Sequence, residues 1–337
     1  DGFGSYPDRL QFSPVFSSIG GRGYFWYLLF QNFIVDEVDG TSPVRGQHSN
    51  KSMIIGGEGA YIPFPNHSFL SCFGPNQYIL LLDCRAERKK HQICSNLTYE
   101  RVFAEINKLP PEVEHLCILI GVPIAYPRMT FAEKFLESSF NPLLALAKTG
   151  SLGLGGMVNK FNGQAELLDD LSDHWSAACH KDERNWFVQE TVKLAENNHL
   201  RVTYLSGDVH AGCVGKFFSK DHIDPAKDPK YILNIISSAI VNTPPPPAMI
   251  KLLNKICTKT HKTLHHAGID EITESIFTTD LETGKPVKKD TYIIGARNYV
   301  TVEIQPNGDQ VWDLRVEMKR GGGATRGYPV IAPRATF

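Results

Sequence analysis

The 337-residue chain has 42% hydrophobic and 21% charged residues, a composition typical of a folded globular protein. This composition excludes a disordered, collagen-like or coiled-coil chain, and the length predicts two domains or one large α/β domain. Lysine and arginine together number 35 and aspartate and glutamate 36, so the net charge is -1. This balance gives no support for nucleic acid or an anionic membrane as the main partner.

The beginning of the chain is predicted to be a loop followed by one apolar helix. Residues 1–23 are rich in glycine, serine and proline, which indicates loop. The longest apolar stretch, 24–35, predicts a buried helix and is too short to span a bilayer, which takes about 20 residues. The polar segment 36–59 is predicted to be a surface excursion.

Strands and helices then alternate along the chain. Five apolar runs predict buried strands, at residues 78–82, 115–120, 200–205, 214–218 and 231–236. Three segments predict helices, at residues 96–108, 131–148 and 183–198. An Asn307-Gly308 turn between 299–304 and 311–316 predicts a β-hairpin. This order predicts one α/β layered core, with the basic segment 250–289 as a candidate insertion over it.

The cysteine pattern and the first seven residues indicate in which cellular compartment the protein is expected. The seven cysteines include no Cys-x-x-Cys pair, which predicts buried free thiols, among them Cys84, Cys117 and Cys213, rather than a zinc site or a disulfide framework. The segment Asp1–Pro7 lacks the basic start of a signal peptide and resembles a cut inside a longer protein. We therefore expect a cytoplasmic chain, with a secreted or membrane-associated parent protein as the alternative.

Two further segments have binding-motif character. Ser151–Gly156 is rich in glycine, but Val158 stands where a dinucleotide motif needs its third glycine, so a flexible connector is favoured. His261, His265 and His266 would suit a metal ion, although surface histidine patches without a ligand are common.

The most specific local pattern is Ser206-Gly-Asp208-Val-His210, which directly follows the predicted strand 200–205. In open α/β sheets, ligands bind at the carboxyl ends of strands. In an extended turn, Asp208 and His210 would project to the same side, because they are two residues apart. A carboxylate and an imidazole in this position could bind a divalent or trivalent cation, or they could hydrogen-bond to each other and close the loop.

A second polar cluster, Asp83, Arg85 and Arg88, follows the predicted strand 78–82. Arginine suits bidentate contact with phosphate oxygens. The same residues could instead form salt bridges on a solvated edge, between Asp83 and Arg85 or between Glu87 and Arg88. Because polar groups follow two different strands, a binding site is favoured.

A third cluster, Asp173-His174-Trp175, precedes the predicted helix 183–198, which itself begins with Glu183 and Arg184. Acidic residues ahead of a helix are also typical of N-terminal capping. Trp175 is expected in the core or as the wall of a cleft.

In this order along the chain, Leu-Asp-x-Arg-x-x-Arg, Asp-His-Trp…Glu-Arg and Ser-Gly-Asp-Val-His resemble the motifs of PhoD-like metallophosphatases. The similarity is closest to the eukaryotic, fungal-type branch of that family. Three other segments are similar to that branch as well: Asp1–Pro7, Gly23–Gln31 and Ser238–Pro245.

The resemblance implies a calcineurin-like four-layer α/β/β/α sandwich, of which residues 1–337 would form the C-terminal portion of a single phosphatase domain. It also implies hydrolysis of phosphomonoesters or phosphodiesters, with a small molecule or a lipid as substrate. The implied metal centre holds ferric iron (Fe3+) with calcium (Ca2+), or other divalent metals.

The resemblance further assigns roles to single side chains. Asp208 and His210 would be metal ligands. His210 or His174 would assist proton transfer to the leaving oxygen. Arg85 or Arg88 would contact phosphate or support the site. Asp173 and His174 would lie at the cleft, where Asp173 would bind the substrate with the arginines.

One departure from the family concerns its first metal motifs, Asp-x-[His/Gln], Gly-Asp-x-x-[Tyr/Asp] and Trp-Asp-Asp-His-[Asp/Glu]. These lie upstream of a stretch like Asp1–Pro7 and are absent here. Either the chain is a fragment, with the N-terminal remainder of the same protein as its partner, or its metal binding is incomplete. The two functional hypotheses are therefore a metal-dependent phosphoesterase and a non-catalytic binding or scaffold module.

Two geometric expectations follow from the resemblance. Asp208 and His210 should face one cleft together with at least one of Asp83, Arg85 and Arg88. The segment that precedes Pro7 should run close to the Asp208–His210 loop, since the missing ligands would immediately precede it.

Overall fold

The computed structural model describes residues 13–32, 50–128, 174–238, 240–245, 247–319 and 322–337. The chain divides into two compact units, the first with residues 1–67, 83–102 and 128–183 and the second with residues 68–82, 103–127 and 184–337. Several predictions lie outside the described residues, namely the helix 131–148, the loop 151–156, and the course of Asp1–Tyr6.

The described residues form α-helices and β-strands, joined by turns and short 3-10 helices. The α-helices are α1 (Pro14–Gln31), α2 (Asn96–Ile106), α3 (Lys181–Asn198) and α4 (Pro247–Ile256). The first six strands are β1 (Met53–Glu58), β2 (Pro65–Gly74), β3 (Gln77–Leu81), β4 (His115–Leu119), β5 (Arg201–Ser206) and β6 (Gly212–Ser219). The other six are β7 (Ile232–Ile236), β8 (Ile269–Thr273), β9 (Ile293–Ile294), β10 (Asn298–Ile304), β11 (Gln310–Glu317) and β12 (Thr325–Ala332).

The second unit contains most of a large mixed sheet with a parallel centre. From β2 onward the strand order is β2-β3-β4-β5-β7-β6-β8, and β9 also pairs with β6. Strands β3, β4, β5 and β7 are mutually parallel, with Leu81, Leu119 and Leu205 in register. The apolar runs of these strands suit burial on both faces, as is usual for parallel strands.

The parallel alignment brings four carboxyl ends to one edge of this sheet. Backbone hydrogen bonds continue past the strand ends, from Leu82 N to Leu119 O at 3.0 Å and from Ser237 N to Ser206 O at 3.0 Å. The residues that follow β4, β5 and β7 therefore leave the sheet at the same edge of the second unit.

A small antiparallel sheet, β10-β11-β12, packs on the large one. Alternate side chains of β11 are buried, and the core between the sheets contains Trp312 and Ala332 with Cys117, Val214, Leu233 and Ile235. Leu205 packs against this core, whereas Tyr204, which points to the opposite face, lies 6.1 Å from the ring of Phe187 on α3. The predicted α/β class is confirmed, and α3 with the two sheets forms three successive layers of the predicted calcineurin-like sandwich.

Two predictions for the first unit are wrong. Helix α1 begins at Pro14 rather than at residue 24, because proline at the first helical turn suits a helix start despite the loop-like composition. It buries only one face, since Trp26 and Phe30 are exposed. The surface excursion predicted for 36–59 includes the strand β1, where consecutive apolar residues are buried.

Other predictions agree with the structure within a few residues. The hairpin forms between β10 and β11, and Cys84, Cys117 and Cys213 are buried. Segment 250–289 includes β8, a strand of the large sheet, and its assignment as an insertion stays a prediction. Within the described ranges, no helix combines the length and the apolar character needed to cross a lipid bilayer.

Candidate functional site

The Asp208–His210 loop leaves β5 at the carboxyl edge of the large sheet, among the four parallel strands. The Gly207 amide donates to Gly121 O at 2.7 Å, and the Val209 amide donates back to Gly207 O at 2.9 Å. Asp208 (φ 71°) and His210 (φ 53°) both adopt left-handed backbone conformations. The predicted extended turn is therefore wrong, because the hydrogen bond between Val209 and Gly207 closes a tight three-residue turn with Asp208 at its centre.

His210 is held by the segment that follows β7. Its amide donates to Ser238 Oγ at 2.9 Å, and its ring nitrogens Nδ1 and Nε2 each lie 3.2 Å from a polar group, Thr243 O and Asn242 Nδ2 respectively. A carbonyl only accepts and an amide NH2 only donates, so these partners assign the proton to Nδ1. Nε2 then keeps the lone pair that metal ligation requires, while the carbonyl orients the ring.

Asp208 is exposed to solvent beside a group of buried, protonated side chains. Burial raises the pKa of Tyr126 well above its ordinary value, and the nearby Cys213, Cys257 and Asp208 raise it further. Burial likewise raises the pKa of the Cys213 thiol. Cys213 is therefore unsuited to act as a nucleophile.

Sequence reasoning missed two buried asparagines that organise the same edge. Asn234 Oδ1 accepts from the amides of Ile124 at 3.0 Å and Ala125 at 3.1 Å, while its Nδ2 donates to Ser206 Oγ at 2.9 Å. A polar residue inside the apolar strand β7 was the available signal. Asn298, at the start of β10, has no comparable signal in the sequence.

In the first unit, Asp83 organises a turn. Its Oδ1 accepts from the amides of Arg85 at 2.9 Å and Ala86 at 3.1 Å. Its Oδ2 accepts from the His67 amide at 3.1 Å and from the Tyr24 hydroxyl at 2.5 Å. Burial, followed by the charge of Asp83, raises the pKa of Tyr24 well above its ordinary value. Asp83 is thus a structural residue that shapes the backbone of the arginine motif.

The two arginines of this motif differ in environment. Arg85 is exposed, whereas Arg88 is buried, with Nη1 at 3.5 Å from Cys84 O. An exposed guanidinium is accessible to a phosphate, and a buried one is suited to hold the turn. Substrate contact by Arg85 and Arg88 stays a prediction.

The third cluster is partly described. Asp173 lies outside the described residues, and His174 is half-buried, with its carbonyl accepting from the Ala177 amide at 3.1 Å and lying 3.0 Å from His180 Nδ1. Trp175 is fully buried, as expected for a core residue. Participation of Asp173 and His174 in a site stays a prediction.

The Glu183-Arg184 part of the motif is structural. Glu183 accepts from the Ile93 and Cys94 amides at 2.8 and 2.9 Å and from the Tyr99 hydroxyl at 2.6 Å. In the second unit, Arg184 forms a buried ion pair with Glu271 at 2.6 Å. Both charges are therefore committed to partners within their own unit.

The described residues do not contain a complete ligand set for a metal ion. Among the residues that the structure describes, no three His, Cys, Asp or Glu side chains are grouped to hold a metal. His261, His265 and His266 likewise form no such group, and His265 Nδ1 lies 2.8 Å from Asp270 Oδ1. Asp208 and His210 fit two ligand positions by their donor chemistry, one oxygen and one nitrogen, but do not complete a site. A cleft shared by both strand-end clusters stays a prediction.

Comparisons with known proteins identify a family model and a curated relative. A sequence model of the family described as PhoD related phosphatase matches residues 1–142 and 136–321. The uncharacterized protein YGR266W of Saccharomyces cerevisiae is 38% identical over 327 residues, covering 89% of this chain and 45% of the yeast protein. The chain thus spans about half the length of the curated relative it matches.

Two solved structures are also similar. A structure of PhoD matches with a TM-score of 0.45 and 12% identity, covering 81% of this chain and 43% of that one. The purple acid phosphatase PPD1 from yellow lupin (Lupinus luteus) seeds matches with a TM-score of 0.35 and 9% identity, covering 80% and 33% of the two chains.

Proposed function

Since the chain belongs to the PhoD related phosphatase family, we propose that its parent protein hydrolyses phosphate esters at a metal centre to which the Asp208–His210 loop contributes. The observation that carries this proposal is the position of the loop at the carboxyl edge of four parallel strands, where open α/β sheets bind ligands. The donor chemistry of the loop supports it, because a carboxylate and an imidazole lone pair suit a di- or trivalent cation.

Each side chain has a distinct task in this proposal. Asp208 offers a carboxylate oxygen, and His210 offers Nε2 while Thr243 O holds the opposite side of its ring. The chemistry that a bound metal supplies is neutralisation of phosphoryl charge and an activated water near neutral pH. Arg85, which is exposed, would offer positive charge to phosphate oxygens, and the buried Arg88 would hold the turn; neither guanidinium can deprotonate water.

The substrate and metals are proposed at the level that the chemistry allows. We expect a phosphomonoester or phosphodiester of a small molecule or lipid, with His174 or His210 transferring a proton to the leaving oxygen. Ferric iron with calcium is the proposed metal pair, with other divalent metals as alternatives. The cytoplasmic location stays a prediction.

A second candidate function is a non-catalytic binding or scaffold module. The observation that favours it is the contact between His210 Nε2 and the Asn242 side chain, which occupies the position that a metal would take. If this contact persists in the parent protein with metal present, the loop serves to stabilise the fold and not to bind metal.

The test is hydrolysis of p-nitrophenyl phosphate and its bis-ester by the full-length parent with added iron and calcium. We expect a chelator to abolish turnover, and Asp208→Ala and His210→Ala to lower it by roughly 100-fold or more, with unchanged thermal unfolding. His222→Ala is a matched control, because His222 is also a left-handed residue (φ 52°) after a strand. Unchanged activity in His210→Ala, or an inactive metal-loaded wild type, would favour the scaffold function.

A further inference from the structure

The backbone of the Asp208–His210 loop needs support from outside the loop. Asp208 and His210 are non-glycine residues with positive φ, a conformation that persists only where the surroundings hold it in place. One such support is the 2.9 Å hydrogen bond from the His210 amide to Ser238 Oγ. The position of Ser238 therefore influences the position of the imidazole.

Ser238 is in turn fixed by the side chain of Asn298. The Ser238 amide donates to Asn298 Oδ1 at 3.0 Å, and Asn298 Nδ2 donates to Ser238 O at 2.5 Å, so one amide group clamps both backbone groups of the serine. Asn298 Oδ1 also accepts from Ser237 Oγ at 3.0 Å, and Nδ2 also donates to Ala296 O at 2.8 Å. All hydrogen-bonding capacity of the side chain is thus used.

Asn298 is also in contact with the other end of the loop. Its side chain is buried, and a Cβ added to Gly212 would come within 3.4 Å of Asn298 Cγ. Gly212 begins β6, two residues after His210. The Asn298 amide therefore packs between Ser238 on one side and the start of β6 on the other, which limits how far the loop can move.

We propose that Asn298 is a positioning residue that holds Asp208 and His210 in their left-handed conformations through Ser238. The effect on catalysis rests on the proposed function, whereas the effect on loop order does not. The role requires a donor and an acceptor on one short side chain. Aspartate keeps the acceptor and loses the donors to Ser238 O and Ala296 O, and alanine loses both.

Hydrogen–deuterium exchange of the full-length parent tests the loop directly. We expect Asn298→Ala and Ser238→Ala to raise exchange in peptides covering residues 207–212 by at least tenfold, and Asn298→Asp to have an intermediate effect. Asn254→Ala is the matched control, because Asn254 also clamps backbone, accepting from the Tyr292 amide at 2.7 Å and donating to Ile293 O at 2.9 Å. Exchange at 207–212 no greater in Asn298→Ala than in Asn254→Ala would overturn the proposal.

If Asn298→Ala does not fold, Ser238→Ala tests the proposal instead. This substitution removes only the hydroxyl that accepts from the His210 amide. A second readout is the apparent affinity for Mn²⁺ alone, which we expect to fall at least tenfold in Asn298→Ala and Ser238→Ala and to stay unchanged in Asn254→Ala. In an active parent, kcat should fall more than KM rises. A parent that hydrolyses no phosphoester would contradict the proposed function, while the exchange rates at 207–212 would still decide the role of Asn298.

Discussion

Asp83 carries four hydrogen bonds on one buried carboxylate, three from backbone amides and one from the Tyr24 hydroxyl. We expect Asp83→Asn to lower the free energy of unfolding by about 1–3 kcal/mol, because the new NH2 group would face a donor and leave it unsatisfied. Urea denaturation measures this difference. Asp221→Asn, at an exposed position, is the control and should change the free energy by less than about 0.5 kcal/mol. Equal effects of the two substitutions would contradict the structural role of Asp83.

Single residues also show how far the sequence can distinguish function from structure. The placement of Asp208 and His210 after a buried strand was predictable, because an apolar run followed by glycine and polar residues marks a strand end. The structural task of Glu183 was not predictable, because it depends on the amides of Ile93 and Cys94, far away along the chain. Asn298 was missed for the same reason, since its partner Ser238 lies 60 residues away in the sequence.

At the scale of elements, His115 connects β4 with the turn of the β10-β11 hairpin. Its Nε2 lies 2.8 Å from Gly308 O, which makes Nε2 the protonated donor. Burial lowers the pKa of His115, and the charge of Arg201 lowers it further. Burial of His115 between the two sheets therefore favours its neutral imidazole over the protonated form.

This pKa makes stability depend on pH below neutrality. Above about pH 6.5 the imidazole is neutral in both states and contributes no pH dependence. As the pH falls below that value, the unfolded chain binds a proton that the folded chain does not, so the free energy of unfolding falls until the pH passes the folded pKa.

We therefore expect the free energy of unfolding to fall less between about pH 6.5 and 5 in His115→Gln than in the wild type. Glutamine keeps a donor for Gly308 O and removes the titrating group. Urea denaturation at a series of pH values measures both slopes. The same slope in the two proteins would mean that His115 does not titrate differently in the folded and unfolded states.

The elements themselves were predictable to the extent that burial follows local sequence. Strands β4, β5 and β7 are mainly apolar and almost entirely buried, and their bounds agree with prediction within one or two residues. Helix α1 was predicted too short because the composition of residues 17–23 is typical of a loop. The helix face that contains Tyr24 and Leu28 is nevertheless buried, by residues distant in the sequence. The pairing between strands brings their carboxyl ends to one edge of the sheet. This pairing depends on contacts between residues far apart in the sequence, which a short stretch of sequence does not reveal.

At the scale of the whole molecule, the proposed function predicts a difference between residues 1–337 and a longer parent protein, because the described residues group no three His, Cys, Asp or Glu side chains. We expect residues 1–337 alone to hydrolyse p-nitrophenyl phosphate at less than about one-tenth of the parent's rate, because a catalytic metal site takes at least three protein ligands in well-studied enzymes. Parallel assays with equal metal loading measure this ratio, and chelated samples of both proteins set the background. Equal rates would show that the ligand set is complete within this chain.

The parallel pairing of β4 with β5 also has a consequence for synthesis of the protein. His115 is opposite Arg201 in the sheet, so about eighty further residues must be synthesised after β4 before its neighbour β5 leaves the ribosome. This synthesis takes on the order of 4–16 s at ordinary rates of elongation. During this interval the nascent chain carries an apolar strand with one open edge, a state prone to aggregation. Chaperones that bind extended apolar segments should therefore raise the yield of native protein during translation.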